Sequence, residues 1–563
     1  TLSSAGLLSG TPTAAGTFNF TVQAANGTMP NATQAQTIVV TSSCGNTEVT
    51  NTNDAGACSL RAAIAFVNGN CVGAQTVTFN IAGAGPHLIQ PLGPLPPVSC
   101  NNTSIDGYSQ PGSAANSAAA GQTNADIRIR LDGALQSGGS GLEFALGVSG
   151  VIQGLSITNF STGILAYTGV NIRGNFIGVL NDGVTPAKNS VGVSAGANAF
   201  GGHCCIQVGS IAAADVNLIA STGDAVQYLG NVSGQVVNNL FGLDRNGNRV
   251  PALGSSQGVG SYLSAPFNAN NLQVRNNLFA HQNVVVASQG ANVLFTRNSA
   301  VLSNAQRSSS SVLYTEIEIT RVLYDAAGST TIEGNINAKG ASTHRIEVFS
   351  NPTPFGLAQT EAYVADIDVT PAGVGLFPFA QTFPSILSIP SVTVTYLANN
   401  ETFVPLQYRK PVTVVAAPTP FTVVAGAPAA TQTLTLTNIS GSAFTFSATP
   451  AVVTGTGFAV NGGTCAGSTV SAAATCTVIL EFSSPIATTA AGSVDITVTG
   501  VGQGTTNYTL PVDTVYRFAL AGTATAPVGP VFTPSAGSFT FAAQLVATTS
   551  ASQTLTITNT GTA

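Results

Sequence analysis

Eight cysteines, four histidines and a thin scatter of carboxylates are the side chains with which this 563-residue chain could do chemistry. In its middle stretch the acids are Asp106, Asp126, Asp132, Glu143, Asp182, Asp215, Asp224 and Asp244, and none is adjacent to another. Cleavage of a polysaccharide needs two or three carboxylates converging on one face, and single, dispersed acids do not announce that geometry. Asp182 in Asn181-Asp182-Gly183 and Asp244 in Asp244-Arg245-Asn246-Gly247 stand where a carboxylate caps its own turn. Asp244, Asn246 and Asn248 place oxygen-bearing side chains at alternate positions, as a calcium loop requires, yet no bidentate acid follows to complete the shell. Calcium there is the single cofactor candidate. His203, in Gly201-Gly202-His203-Cys204-Cys205, has no acidic neighbour in sequence and reads as structural. No nucleophile elbow, phosphate loop or dinucleotide fingerprint stands out, so the chain is expected not to be an enzyme.

The cysteines, Cys44, Cys58, Cys71, Cys100, Cys204, Cys205, Cys465 and Cys476, form no CxxC pair and no Cys/His cluster at zinc spacing. All eight are disulfide candidates. Cys465 and Cys476 stand at a hairpin-like spacing, and Cys44 with Cys58 and Cys71 with Cys100 is one of three pairings open to the first four. The adjacent Cys204 and Cys205 read as two buried or separately paired thiols rather than a strained vicinal bridge. Oxidised cysteines imply an extracellular or periplasmic home. The opening TLSSAGLLSG has neither a basic start nor a long hydrophobic region, which suits a mature chain or an internal piece.

Charge narrows the partners. Only 16 Lys or Arg and 22 Asp or Glu are present, 7% of residues, and the net charge is -6. That balance leaves no basic face to neutralise phosphates, so neither nucleic acid nor an anionic membrane is expected as a partner. At 44% hydrophobic residues the chain has enough apolar surface to fold. No transmembrane segment is expected, because apolar runs such as 284–287 and 293–295 end within a few residues, and 412–430 is broken by Pro418, Pro420 and Pro428.

The elements that must position these side chains are strands. Thr17 to Val22, Asp126 to Leu131, Tyr314 to Ile319, Gln432 to Thr437 and Gln553 to Thr558 alternate apolar and polar residues with period two, and 61 Gly and 28 Pro punctuate them. One helix is predicted, over 59–67, with Ser59 as N-cap and residues 60, 63, 64 and 67 on one apolar face. Residues 172–183 (IRGNFIGVLNDG) align without gaps on 236–247 (VVNNLFGLDRNG), and 274–279 (VRNNLF) is a third partial copy. An apolar position, a Gly or Asn, an aliphatic or aromatic pair and a Gly suit a right-handed parallel β-helix, in which inward side chains stack and Asn or Gly takes the left-handed turn. The solenoid is predicted over about 101–312, with loops at 179–190 and 243–257 projecting from it.

Four motifs add a resemblance. NTNDAGACSLRAAIAFVN from Asn51, IDGYSQPGS from Ile105, IRLDG from Ile129 and IRGNFIG from Ile172 resemble bacterial secreted proteins with a CSLREA-type domain followed by a parallel β-helix. Ala62 stands where that family usually has Glu, so an ion pair from that Glu is absent. In this all-β chain that resemblance, over about 44–410, implies the CSLREA-type cap and β-helix at 44–312 and a β-sandwich at 313–411; LSSAGLLSGTPTAAGTFNFTVQAANG from Leu2 resembles part of a cadherin-like immunoglobulin sandwich at 1–43, and FTVVAGAPAATQTLTLTNISGSAFTF from Phe421 resembles cilium-associated immunoglobulin-like modules, one at 412–525 and the start of another at 526–563. Gln432 to Asn438 recurs as Gln553 to Asn559, which marks that last start. Both ends then fall inside sandwiches, as expected of a piece of a longer protein or of a subunit whose ends complete those of its neighbours.

The expected function is that of a non-enzymatic bacterial surface protein, a fibre or filament subunit or adhesin stalk, whose partners are other copies of itself and surface glycans or host surfaces. A polysaccharide-acting β-helix enzyme and a carbohydrate-binding adhesin are the alternatives, although no Trp and 11 Tyr offer little for stacking sugars. Of the charges, only Glu481, Asp495, Asp513 and Arg517 lie in 412–563 and none in 1–47. Nearly uncharged surfaces lose little hydration on packing together, so the terminal modules are expected to make the assembly contacts.

Overall fold

The computed structural model describes residues 3–559 apart from 4–5, 11–15, 41–44, 197–202, 231, 263–271, 290–292, 302–304, 309–316, 352–361, 389, 397–400, 403–405, 409–410, 415, 441–442, 506–507 and 530–531. The chain is all-β, with Leu60–Gly69 as the one α-helix among the described residues. Two compact units divide it: residues 1–317, 336–377 and 389–407, and residues 318–335, 378–388 and 408–563.

In the first unit, short strands between Glu48 and Ser308 build three parallel sheets of nine, eight and seven strands. Successive strands enter them in rotation. Gly150–Gln153 belongs to the nine-stranded sheet, Leu155–Thr158 to the eight-stranded, Thr162–Ala166 to the seven-stranded, and Val170–Arg173 returns to the first. The register is kept through many triplets: Ile172 pairs with Val208, Val208 with Val236, Val236 with Val274 and Val274 with Phe295. Ile152, Ile157 and Ile164 of one triplet, and Ile172, Ile177 and Val193 of the next, belong to one buried core. Each such side chain contributes about 1.5–3 kcal/mol by burial, so the repeated apolar positions account for much of the stability of this region.

The helix covers one end of that core. Ser59 accepts the Ala62 N–H at 3.2 Å, and Leu60, Ala63, Ile64 and Val67 are buried in the same cluster as Val49, Val77 and Phe79 of the first parallel strands. Cap and apolar face are those predicted from the spacing. The left-handed turns also fall where the repeats place them, at Gly174, Asn238 and Asn276, with φ of 62°, 58° and 58°.

The loops expected to project are anchored at their apolar residues, while Asp182, Val184 and Asn246 stay exposed. Val179, Leu243 and Leu253 form a second core with Phe176, Leu218 and Leu240 of the eight-stranded sheet. These sheet strands are two residues long and buried on both faces, so a loop carrying apolar residues gains more by laying those residues on them than by exposing them to water.

Two antiparallel elements complete the unit. Gly16–Ala24 and Ala32–Val40 form a hairpin, and His344–Ser350 lies between Ala362–Val369 and Pro390–Tyr396. In the second unit two 18-residue strands, Thr488–Thr505 and Tyr508–Thr525, pair antiparallel, and Phe421–Val424 joins the latter in parallel. Ala430–Asn438 and Thr475–Phe482 form the centre of a four-stranded sheet there. Among the described residues, no helix is long and apolar enough to cross a membrane.

Candidate functional site

The repeats position a buried row of amides. Asn175, Asn217, Asn239, Asn277 and Asn298, each 0–1% exposed, follow the strands of the nine-stranded sheet in five successive triplets. The side-chain Nδ2 of each of the first four donates to Oδ1 of the next, at 3.2, 2.8, 3.0 and 3.0 Å. The backbone N–H of each donates to the same oxygen, at 2.9–3.4 Å. The remaining Nδ2 protons reach strand carbonyls, such as Val208 O from Asn239 at 2.8 Å and Val236 O from Asn277 at 2.8 Å. A buried amide without partners costs about 1–3 kcal/mol, and here every amide is satisfied by the triplet beside it, so the row holds only when the triplets stack in register. A second row lies at the next corner. Asn189 Oδ1 accepts the Phe160 N–H at 2.9 Å, Ser255 Oγ accepts the Ser221 N–H at 3.1 Å, and Gln282 Oε1 accepts the Ser255 N–H at 3.3 Å.

The carboxylates are engaged locally. Asp244 Oδ1 accepts the Asn246 and Asn248 N–H groups at 2.8 and 2.9 Å, and Oδ2 accepts Asn248 Nδ2 at 2.9 Å. Asn248 thus turns a donor, not an oxygen, toward Asp244, and no cluster of metal-ligating side chains occurs among the described residues. Excess calcium is expected to leave the melting profile superimposable on that in chelator, as scanning calorimetry would read; a calcium-dependent rise that Asp244→Asn removes would restore the calcium loop.

Asp132, buried, takes Ala134 N–H, Asn159 and Arg130. Asp106 takes Tyr108 N–H and Gln153, and Asp215 takes Ser210 Oγ. Asp126 and Asp182 line one cleft of about 280 Å³ with Arg128 and Asn181. Its polar groups are occupied: Arg128 bonds Asp126 at 2.9 Å and Asn181 Nδ2 bonds Ile127 O at 2.8 Å. Burial works against Asp182, but hydrogen bonds from Thr185 and Val184 hold its carboxyl below the usual range, the opposite of what a general acid needs.

Burial raises Glu143 and Asp224, the latter also bonded to Tyr262. The register sets these two apart. Glu143 pairs with Leu165, Leu165 with Ser194 and Ser194 with Gln227, while Asp224 lies three residues before Gln227 on that strand. Three strand spacings come to about 14 Å, beyond the roughly 9.5 Å limit of a paired-carboxylate glycosidase.

Two charged contacts lie at the ends of the parallel region. Arg61 of the helix bonds Asp54 Oδ1 at 2.6 Å and the Pro94 and Gly93 carbonyls at 2.6 and 2.9 Å, so the arginine beside Ala62 is held by an acid seven residues earlier. Spacing alone gave no sign of that partner. At the other end Arg297 meets Glu347, Asp366 and Tyr363.

Of the disulfide candidates, Cys71 is bonded to Cys100 and Cys465 to Cys476, with Cα atoms 5.3 and 4.9 Å apart. Cys58 is also disulfide-bonded. Cys44 lies outside the described residues, as do the side chains of His203 and Cys204. Cys205 is exposed, with a φ of 74°.

No family model matches this chain, and no curated protein matches it. Solved structures align with part of it, two alpha-2-macroglobulins among them. The native conformation of E. coli alpha-2-macroglobulin does so at 11% identity and a TM-score of 0.19, over 38% of this chain and 18% of that one. A Salmonella alpha-2-macroglobulin mutant does so at 10% identity and a TM-score of 0.19, over 40% and 17%. This chain therefore spans less than a fifth of either, and a likeness of that TM-score carries no argument about fold or function.

Proposed function

We propose that the chain is a non-enzymatic, extracellular structural protein, a subunit of a bacterial surface fibre or adhesin stalk, in which a right-handed parallel β-helix is flanked by immunoglobulin-like modules that make contacts between copies. The observation that carries this reading is the buried asparagine row. Side-chain hydrogen bonds that run from triplet to triplet along a stack suit a rod that resists extension and proteolysis. The disulfides support an oxidising compartment. Self-assembly draws on the uncharged terminal modules, where Phe18, Val39, Phe532, Leu545 and Ile557 are 47%, 65%, 63%, 82% and 59% exposed.

Electron microscopy of the native material tests it: fibres with a regular subunit repeat are expected, and discrete unassembled monomers would sink it. Thr435→Lys, on Ala430–Asn438, with Thr556→Lys, just before Ile557–Asn559, places charge in the terminal modules and is expected to shift sedimentation from assembled species toward monomer; unchanged assembly would exclude those positions as contacts.

A further inference from the structure

Glu347, 2% exposed, stands in the middle of His344–Ser350, with Asp366 directly opposite on one neighbouring strand and Thr393 on the other. Residues in direct register share a face, so these three side chains form a row. Arg345 and Asp368 extend it, whereas His344, one residue away from Arg345, points to the opposite face. Into the row comes Arg297, which follows the last strand of the nine-stranded sheet, Val293–Thr296. Its N–H donates to Glu347 Oε2 at 2.8 Å, its guanidinium donates to Asp366 Oδ2 at 2.8 Å, and it lies 5.5 Å over the Tyr363 ring. Arg345 forks onto Asp368 at 2.8 Å and also reaches Asp366. Tyr363 donates to Asp366 Oδ1 at 2.9 Å. The cations are thus bound to Asp366 and Asp368, and Glu347 Oε1 and Thr393 Oγ1 are both buried without a hydrogen-bond partner.

We propose that Glu347 is a proton-operated latch: with its carboxyl protonated it holds Arg297, and with it the end of the nine-stranded parallel sheet, against the antiparallel sheet, and on ionisation that contact opens. The device needs no part of the fibre reading. The protonated carboxyl brings no charge into a site where Oε1 has no hydrogen-bond partner. The ionised group is a buried anion facing Asp366, and the proton leaves to solvent.

Burial pushes the Glu347 carboxyl up to about 7, the Arg297 N–H opposes this, and Asp366 adds to it. In the open form the group returns to 4.5. A carboxyl raised in the closed state favours closure fully below 4.5 and loses that contribution as pH rises through about 7. Of the groups facing it, the guanidiniums of Arg297 and Arg345 stay charged. Burial raises Tyr363 to about 12, and Asp366, despite its own burial, is held low by Arg297 and Tyr363, so neither changes state in that window.

Hydrogen exchange of the full chain, read on peptides covering 293–299 and corrected for intrinsic rates, tests the latch. Protection is expected to fall roughly thirtyfold from about pH 5.5 to about pH 8.5. Glu347→Gln should hold the low-pH protection at both. Asp366→Asn, which removes the facing charge and frees the arginines, should move the midpoint to lower pH. Equal wild-type protection at the two pH values overturns the proposal, as does an unaltered pH dependence in Glu347→Gln or an unmoved midpoint in Asp366→Asn; the wild-type arm decides on its own if a variant does not fold.

Discussion

Gly242→Ala is expected to destabilise the parallel region by about 3–5 kcal/mol, the sum of a left-handed backbone penalty and a steric overlap. Gly242 has a φ of +75°, and a Cβ there would overlap Ala280 O while sitting 2.8 Å from the Ala280 carbonyl carbon and 2.9 Å from Gln282 Nε2. The obstacle is backbone of the next triplet, which cannot retreat without breaking the pairing of Leu240 and Phe241 with Leu278 and Phe279. Gly178, at the matching position of the other repeat copy, meets Ala220 O in the same way at a φ of +76°. Gly147 has a similar φ of +79° but nothing within 4 Å, so Gly147→Ala should cost only about 1–2 kcal/mol. A chain of several units does not unfold as one, so exchange protection of the peptides around each substituted glycine, 236–241 for Gly242 and 140–144 for Gly147, is the measure. Equal losses for the two substitutions would show that backbone conformation alone, and not the close approach of the next triplet, fixes the glycine.

Asn239→Ala is the second large effect, about 3–4 kcal/mol. It removes the acceptor of Asn217 N–H and Nδ2, and the donor to Val208 O and Asn277 Oδ1, in a place water does not reach. The exposed Asn246 of the nearby turn serves as control, where Asn246→Ala should stay within about 0.5 kcal/mol. The loss should spread to peptides around 217 and 277, because each asparagine satisfies its neighbours. Destabilisation confined to 236–241 would mean that the five amides act separately rather than as one row.

Much of the fold is legible in the chain. The helix from Leu60 declares itself through a serine cap and four apolar residues on one face. The repeat copies declare the parallel strands, and the turn sequences around Asp182 and Asp244 foretell carboxylates bonded to their own loops. The triplet between the copies stayed hidden. Its strands, His203–Val208 and Leu218–Ile219, take the same columns, yet the inserted turn Ala213–Asp215 breaks the spacing that makes the other copies align.

Local patterns decided what local forces control: strand period, left-handed turns, the helix cap, and the shortage of charge. Tertiary structure decided which side chains meet. Asn238 and Asn239 are adjacent and chemically identical, but the first takes the left-handed turn and the second joins a buried row with residues 22 and 38 positions away. Glu347 reads in His344-Arg345-Ile346-Glu347-Val348 as the outward face of an alternating strand, and becomes a 2% exposed carboxyl because Arg297, 50 residues earlier, is laid across it. The physical reason is the same in both. Solvent exclusion and cross-strand hydrogen bonding depend on register between segments distant in the chain, and the period within one segment carries no record of which neighbour will lie against it.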